Sequence, residues 1–465
     1  MIVSVENKGY ELCVSYFDEQ GEISYLHVPV EEAERYVYDY ADTDGGYYDK
    51  RAVSQNFQSW DNRPVKVIRT TKLSKYRIEE ILQTKSDLVV PAYEFNVPKK
   101  HFIDIETEIT EGFADPELAL NRVLSIAIAT DRHRVFVFGL RDLDRDQHDE
   151  IEKEINAHFG KKFPSDKWSF SYHKFESEYD MLYTFFSEMK KRMFCISGWN
   201  VIGYDWKYLV NRAGRLKIDP SICSPSGRLL GKNRTPQHKL LVDYLDLVKK
   251  WDRVIKIKDN FKLDYIGEKA VGIAKIKYNG SLKDLYEQDF RKFIFYNAVD
   301  SALVHYIDKR LNTMLTFFKL ANVTGVECER AFSPIHIMEA LLGREYFKEN
   351  KVFVDTFKGD GQQKDFEGAY VKDPIPGLHS YVACFDFASL YPSVMQQFNI
   401  SPESYRGKRE PMEGEIRTAS GGVFQSKEDS ALRKILKNYY GKRKEVKKKY
   451  LDVNKEIDDL EKMLR

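Results

Sequence analysis

Apolar and polar positions alternate in short runs through the first 99 or so residues. YELCVSYF (10–17), GEISYLHVPV (21–30) and RPVKVIRT (63–70) predict strands and hairpins, and KLSKYRIEEILQ (72–83) has helical spacing. From about residue 100 the runs lengthen. HFIDIET, VLSIAIAT, RVFVFGL and SFSYHKF predict strands, ESEYDMLYTFFSEMKKR a helix, FCISGW a strand and YDWKYLVNRAGRL a helix. Strands followed by helices of this length predict a mixed, centrally packed sheet flanked by helices. A helical region is expected from about 281 to 320, where FIFYNAVDSALVHYIDKRL carries apolar residues at helical spacing. YVACFDF (381–387) predicts a strand feeding a helix with Pro392 in its early turns, and the last 35 residues predict a helix.

At 465 residues the chain is too long for one core, so two to four domains are expected. Hydrophobic residues make up 42%, which excludes a disordered chain. Lys and Arg number 73 against 72 Asp and Glu, so any nucleic-acid binding must come from local patches. The five cysteines lack CxxC spacing, which fits a reducing, intracellular compartment and neither a disulfide framework nor a zinc site. No signal peptide or membrane span is read from the sequence.

Strand alternation in HFIDIETE puts Asp104 and Glu106 on one face, where both can reach one cation. That pairing is common by itself. Two later features add to it: GWNVIGYDWKYL places Asn200 and Asp205 around a Gly-rich turn at a helix start, and FYNAVDSALV places Tyr296 and Asp300 on one helical face at i, i+4. Asp-x-Glu, Asn-x4-Asp and Tyr-x3-Asp, in that order, resemble the three motifs of DEDD exonucleases of the tyrosine subtype. Phosphodiester hydrolysis needs a hydroxide at neutral pH and a counter-charge for the leaving oxygen, which two divalent ions can supply. Four acids suit hard cations, Mg2+ or Mn2+. The resemblance implies that Asp104 bridges both ions, Glu106 and Asp300 hold one, Asp205 helps hold the other, and Tyr296 orients the attacking water.

DFASLYPS (386–393) resembles the first palm motif of family B DNA polymerases. NISPES, SPSGR, VDYLDLVKKW and EGAYV are also similar to the replicative polymerases of large tailed bacteriophages, and the resemblance runs over nearly the whole chain. It implies that Asp386 and the Phe387 carbonyl are metal ligands, that Ser389 and Leu390 meet the triphosphate, and that Tyr391 lies under the incoming sugar. Between 433 and 449 the chain has nine Lys and Arg against one acid, a run similar to the family's first fingers helix, with Arg443 and Lys447 as triphosphate contacts. KILKNYYG departs from the second fingers motif. YADTDGG (40–46) looks like the later carboxylate hairpin of the palm but stands before the exonuclease motifs, where its glycines read as turn chemistry. LLGKNRTPQHKLL is shorter than the phage strand-separating hairpin and keeps Lys232, Arg234 and Lys239 as candidate phosphate contacts.

The expected fold class is mixed α/β: an N-terminal mixed domain at 1–99, a ribonuclease H-like 3′→5′ exonuclease at 100–312, a return to the N-terminal domain at 313–372, a partial palm at 373–432 and a first fingers helix at 433–465. The resemblance identifies the chain as the N-terminal half of a DNA-directed DNA polymerase. Its partners would be DNA primer–template, dNTPs and a second chain supplying the rest of palm, fingers and thumb, in the cytoplasm of a phage-infected bacterium. Val446, Tyr450, Val453, Ile457, Leu460 and Leu464 form a coiled-coil-like stripe that seeks a partner helix. A free-standing exonuclease with a vestigial palm and a non-catalytic nucleic-acid-binding scaffold stay open as alternatives.

Overall fold

The computed structural model describes residues 1–41, 53–70, 72–108, 114–354, 370–387 and 389–464. Packing divides the chain into two compact units, one of residues 1–29 with 85–337, the other of 30–84 with 338–465.

The first unit is built on a six-stranded sheet. Its strands are β1 (Lys100–Thr107), β2 (Val123–Thr130), β3 (Arg134–Gly139), β4 (Ser169–Lys174), β5 (Cys195–Gly198) and β6 (Leu240–Asp243), in the order 4-3-2-1-5-6. β2 runs antiparallel to both neighbours, while β3 and β4, β1 and β5, and β5 and β6 pair in parallel. Every residue of β2 is buried, because helices cover both faces of the sheet. Helices α2 (Glu178–Arg192) and α3 (Asp205–Arg215) close one face over Ile103, Ile105, Ile126, Ile128 and Phe138. Helices α1 (Arg145–Gly160) and α4 (Phe290–Leu311) lie on the other, with α4 against β1 and β2. The region 281–320 resolves into three helices, Leu282–Gln288, α4 and Thr313–Thr324. Asp289 caps the start of α4 by accepting from the Lys292 amide, and Asn312 ends it with φ near 53°. A three-stranded antiparallel sheet (Ile2–Asn7, Glu11–Phe17, Ile23–Pro29) completes this unit.

Gly198 ends β5 where a β-carbon would lie 2.4 Å from the Ile103 carbonyl of β1. That close approach explains the glycine of GWNVIGYD. Gly198→Ala is expected to lose about 1–3 kcal/mol through overpacking, read as a lower denaturation midpoint.

The second unit carries a four-stranded sheet over Tyr38, Tyr40, Val65, Val352 and Val354. It also holds α5 (Leu390–Gln397) and the 34-residue helix α6 (Ala431–Leu464). NISPES works as a staple here. Asn399 Oδ1 accepts from the Ser430 amide at 2.9 Å, Glu403 Oε1 from the Ala431 amide at 2.7 Å, and Tyr346 donates to Glu403 Oε2 at 2.9 Å. The first two satisfy the amide before α6 and its first amide, and Tyr346 holds the Glu403 carboxylate that accepts there.

The strand expected over YVACFDF does not form. Residues 381–387 take no regular structure, and Tyr381, Val382, Phe385 and Phe387 are exposed. A strand is stabilised only by pairing with others, and among the described residues no strand pairs with this segment. Of YADTDGG, residues 42–46 lie outside the described residues, as do 367–369 of EGAYV.

Candidate active site

The acid cluster forms where β1, the turn after β5 and α4 meet. β1 alternation turns Ile103 and Ile105 into the core under α2 and α3, so Asp104 and Glu106 point to the α4 side. There they meet Asp300. One carboxylate oxygen from each of Asp104, Glu106 and Asp300 lies within 4.8 Å of the others. Asn297, one turn before Asp300, donates from Nδ2 to Asp104 Oδ2 at 2.7 Å and accepts from Ser125 Oγ of β2 at 2.8 Å. That bridge sets the Asp104 carboxylate from two elements.

Asp205 begins α3 and stands apart from this triplet. Its Oδ1 accepts from the Ile105 amide of β1 at 3.0 Å. The preceding turn places Asn200 at φ near 60°, with its Oδ1 where a β-carbon on Gly203 would be, 2.4 Å away. Asp243, from VDYLDL, clamps the same turn by accepting from the Ile202 amide at 3.0 Å and the Leu245 amide at 3.0 Å.

Burial, with repulsion from Asp300, pushes the Asp104 carboxyl up to about 7. Burial and the charges of Asp104 and Asp300 raise Glu106, and burial and Asp104 raise Asp205. Burial also raises Asp300, against the opposing pull of Lys275. The Lys275 ammonium sits 2.5 Å from Asp300 Oδ2 and over the Tyr296 ring at 5.0 Å. Tyr296 stands one helical turn before Asp300, and Tyr278 meets the Tyr296 ring edge-on at 5.3 Å. Asp300 Oδ1 is buried without a partner.

Lys275, Asn297 and Ser125 escape the sequence reading. Lys275 stands in the loop segment VGIAKIKYNG, where nothing in its spacing marks it, and Asn297 is hidden by an apolar helix pattern. Lys239 is the opposite case. It is buried, and its Nζ donates to the Lys190 carbonyl at 2.7 Å, so it does not serve as a phosphate contact. Lys232 and Arg234 are exposed on the short hairpin pairing Leu229–Leu230 with Thr235–Pro236.

Residues 34–266 match the family described as DNA polymerase family B, exonuclease domain, and residues 332–464 match DNA polymerase family B. The chain belongs to DNA polymerase family B. Its sheet and flanking helices are the ribonuclease H-like exonuclease fold of that family. It is 28% identical to the DNA-directed DNA polymerase of Escherichia phage RB69, over 65% of this chain and 35% of that one. It is 26% identical to the enzyme of Enterobacteria phage T4, over 87% of this chain and 47% of that one. A DNA polymerase of Archaeoglobus fulgidus is 29% identical over 54% of this chain and 32% of its own. The chain thus spans about a third to a half of the length of these curated relatives.

The residues that resemble the first palm motif stand apart from the acid cluster in sequence and belong to the second unit. Asp386 lies in the irregular segment, Phe387 is exposed, and Ser389 takes φ near 54° at the start of α5. Leu390 and Tyr391 open α5 with exposed side chains. Arg443 and Lys447 lie one turn apart on α6, exposed and without ion pairs among the described residues. KILKNYYG is continuous α6 helix. Val446, Tyr450, Val453, Ile457 and Leu460 are all exposed, and the Leu464 side chain lies outside the described residues. Among the described residues no helix is long and apolar enough to cross a membrane.

Proposed function

We infer that this chain is the proofreading part of a DNA-directed DNA polymerase, and that it hydrolyses the terminal phosphodiester of a primer strand in the 3′→5′ direction. The convergence of Asp104, Glu106 and Asp300, with one buried Asp300 oxygen unpartnered, carries the reading. An all-carboxylate donor set fits Mg2+ or Mn2+ held by Asp104, Glu106, Asp205 and Asp300. When bound, divalent ions supply a hydroxide nucleophile and a counter-charge for the leaving oxygen. The chain's residues do the rest. Asn297 and Ser125 hold Asp104 in place, Asp243 holds the turn that delivers Asp205, and the Tyr296 hydroxyl beside Asp300 orients the attacking water.

The reading extends to the domains and the palm. Residues 1–99 with 313–372 are taken as an N-terminal domain around an exonuclease at 100–312, followed by a partial palm at 373–432 and a first fingers helix at 433–465. Asp386 and the Phe387 carbonyl are assigned to the nucleotidyl-transfer metals, Ser389, Leu390, Arg443 and Lys447 to the triphosphate, and Tyr391 to the sugar of a dNTP. A second chain completes that site. This part is supported by the exposed apolar stripe of α6 and the unpaired YVACFDF segment, which lack the cover that a strand and a helix of a partner supply. We take the cytoplasm of the bacterial host as the setting.

A 5′-labelled primer–template incubated with the chain, Mg2+ and all four dNTPs tests both halves. The primer is expected to shorten, to stop shortening in EDTA and to show no extension. An unchanged primer would overturn the exonuclease, and templated extension by this chain alone would overturn the need for a partner.

A further inference from the structure

On the face of the sheet away from the acids, a cavity of about 660 Å3 opens between β1–β4 and the last turns of α2. Strand alternation makes it a separate place. His101 faces this cavity from β1, whereas Asp104 faces α4, three residues or about 10 Å along the strand and on the opposite side of the sheet.

The floor is aromatic. Phe136 and Phe138 of β3 line it with Phe175, which meets Phe138 at 5.2 Å between ring centroids. The rim is cationic, with five Lys and Arg against three acids among the lining residues. Lys191 and Arg192 share Glu188, and Lys99 pairs with Glu22. Arg132 and Arg134 are exposed and make no ion pair among the described residues. In the wall, His101 lies between the Lys99 and Cys195 backbones. The volume suits a single small ligand. Phenylalanine rings stack on any nucleobase, and guanidinium groups grip phosphate oxygens.

The geometry points to a second nucleotide-binding site, distinct from the acid cluster, that stacks a base on Phe136 and Phe175 and pairs its 5′-phosphate with Arg132 and Arg134. This inference does not depend on the hydrolytic reading, since the cavity is formed without any of the four acids. The nucleotide can arrive free or as one unit of an unpaired strand.

Fluorescence anisotropy of 1,N6-etheno-AMP with the full chain in EDTA tests it. Saturable binding is expected, unchanged in Asp104→Ala/Glu106→Ala and weakened at least about tenfold in Arg132→Glu/Arg134→Glu. The exposed arginine pair leaves the core intact, and Phe136→Leu, which keeps bulk but loses the ring, is expected to weaken binding in the same direction. Competition distinguishes the sources. Displacement by dAMP alone marks a free-nucleotide site, and equal displacement by a 5′-phosphorylated tetranucleotide marks a strand-binding site. No saturable binding up to about 1 mM, binding indifferent to the arginine pair, or binding lost with the acids would each overturn the site.

Discussion

Changing Asp104 and Glu106 together to alanine is expected to lower primer shortening by about 10^4-fold, since several kcal/mol of charge stabilisation is lost with the divalent ions we propose they hold. The same change should raise the stability of the metal-free chain. Folding takes these carboxyls into a buried cluster that disfavours their charged forms, so the native state resists ionising them. For Asp104 the rise from 3.8 to about 7 corresponds to about 4 kcal/mol at full ionisation. Both acids keep partial contact with solvent in the cleft, so about 2 kcal/mol is a fairer figure for the pair's net effect at pH 8. The sign follows from the raised values. The penalty is absent below the ordinary carboxyl range and grows as pH rises through about 7 for Asp104. Thermal melts in EDTA should therefore show the double variant above the parent at pH 8 and level with it near the ordinary carboxyl values. Activity and stability moving in opposite directions is the outcome to look for. A variant that loses both would mean the acids hold the fold instead.

Lys275→Met is expected to act in the reverse sense. Burial opposes the Lys275 charge, but Asp300, Tyr296 and Asp104 together hold its ammonium protonated well above the ordinary lysine value. Removing it leaves three neighbouring carboxylates without their cation. At pH 8 the metal-free variant should lose about 2–3 kcal/mol, below the full cost of breaking a buried pair because the acids can take up protons. The sign is again set by the acids. Without Lys275 their values climb further, so the loss is largest where they would be ionised and shrinks as pH falls toward their protonated state. Added Mg2+ should restore much of the melting temperature by replacing the missing positive charge. Melts at pH 8 and pH 6, with and without Mg2+, read this directly. An unchanged midpoint at pH 8 would show that Lys275 does not balance the cluster.

Much of the site was legible because its residue types follow local periods. Strand alternation placed Asp104 and Glu106 on one face, helical spacing placed Tyr296 beside Asp300, and both pairs occupy the faces their periods require. The same periods located five of the six strands of the central sheet and the flanking helices α2, α3 and α4, but neither β6 nor α1. What the periods could not carry were contacts between distant segments. Asn297 reads as one more residue of a helix until Ser125 and Asp104 are brought to it from two strands, and Lys275 reads as loop charge until Asp300 lies 2.5 Å away. Lys239 shows the same gap in reverse, a lysine in a basic, hairpin-like stretch whose ammonium is folded inward onto a backbone carbonyl.

YVACFDF marks the limit most sharply. Its composition is that of a strand, and the sequence by itself determined that the segment is apolar and followed by a helix. Whether it becomes a strand was for the tertiary structure to decide, and there it stays unpaired and exposed. The physical reason is the same throughout. A helix satisfies its own backbone and carries its face with it, so local sequence suffices to place Tyr296 and Asp300. A strand, an acid cluster and a buried counter-charge are each completed by groups far away in the chain, and only the packed fold brings those groups together.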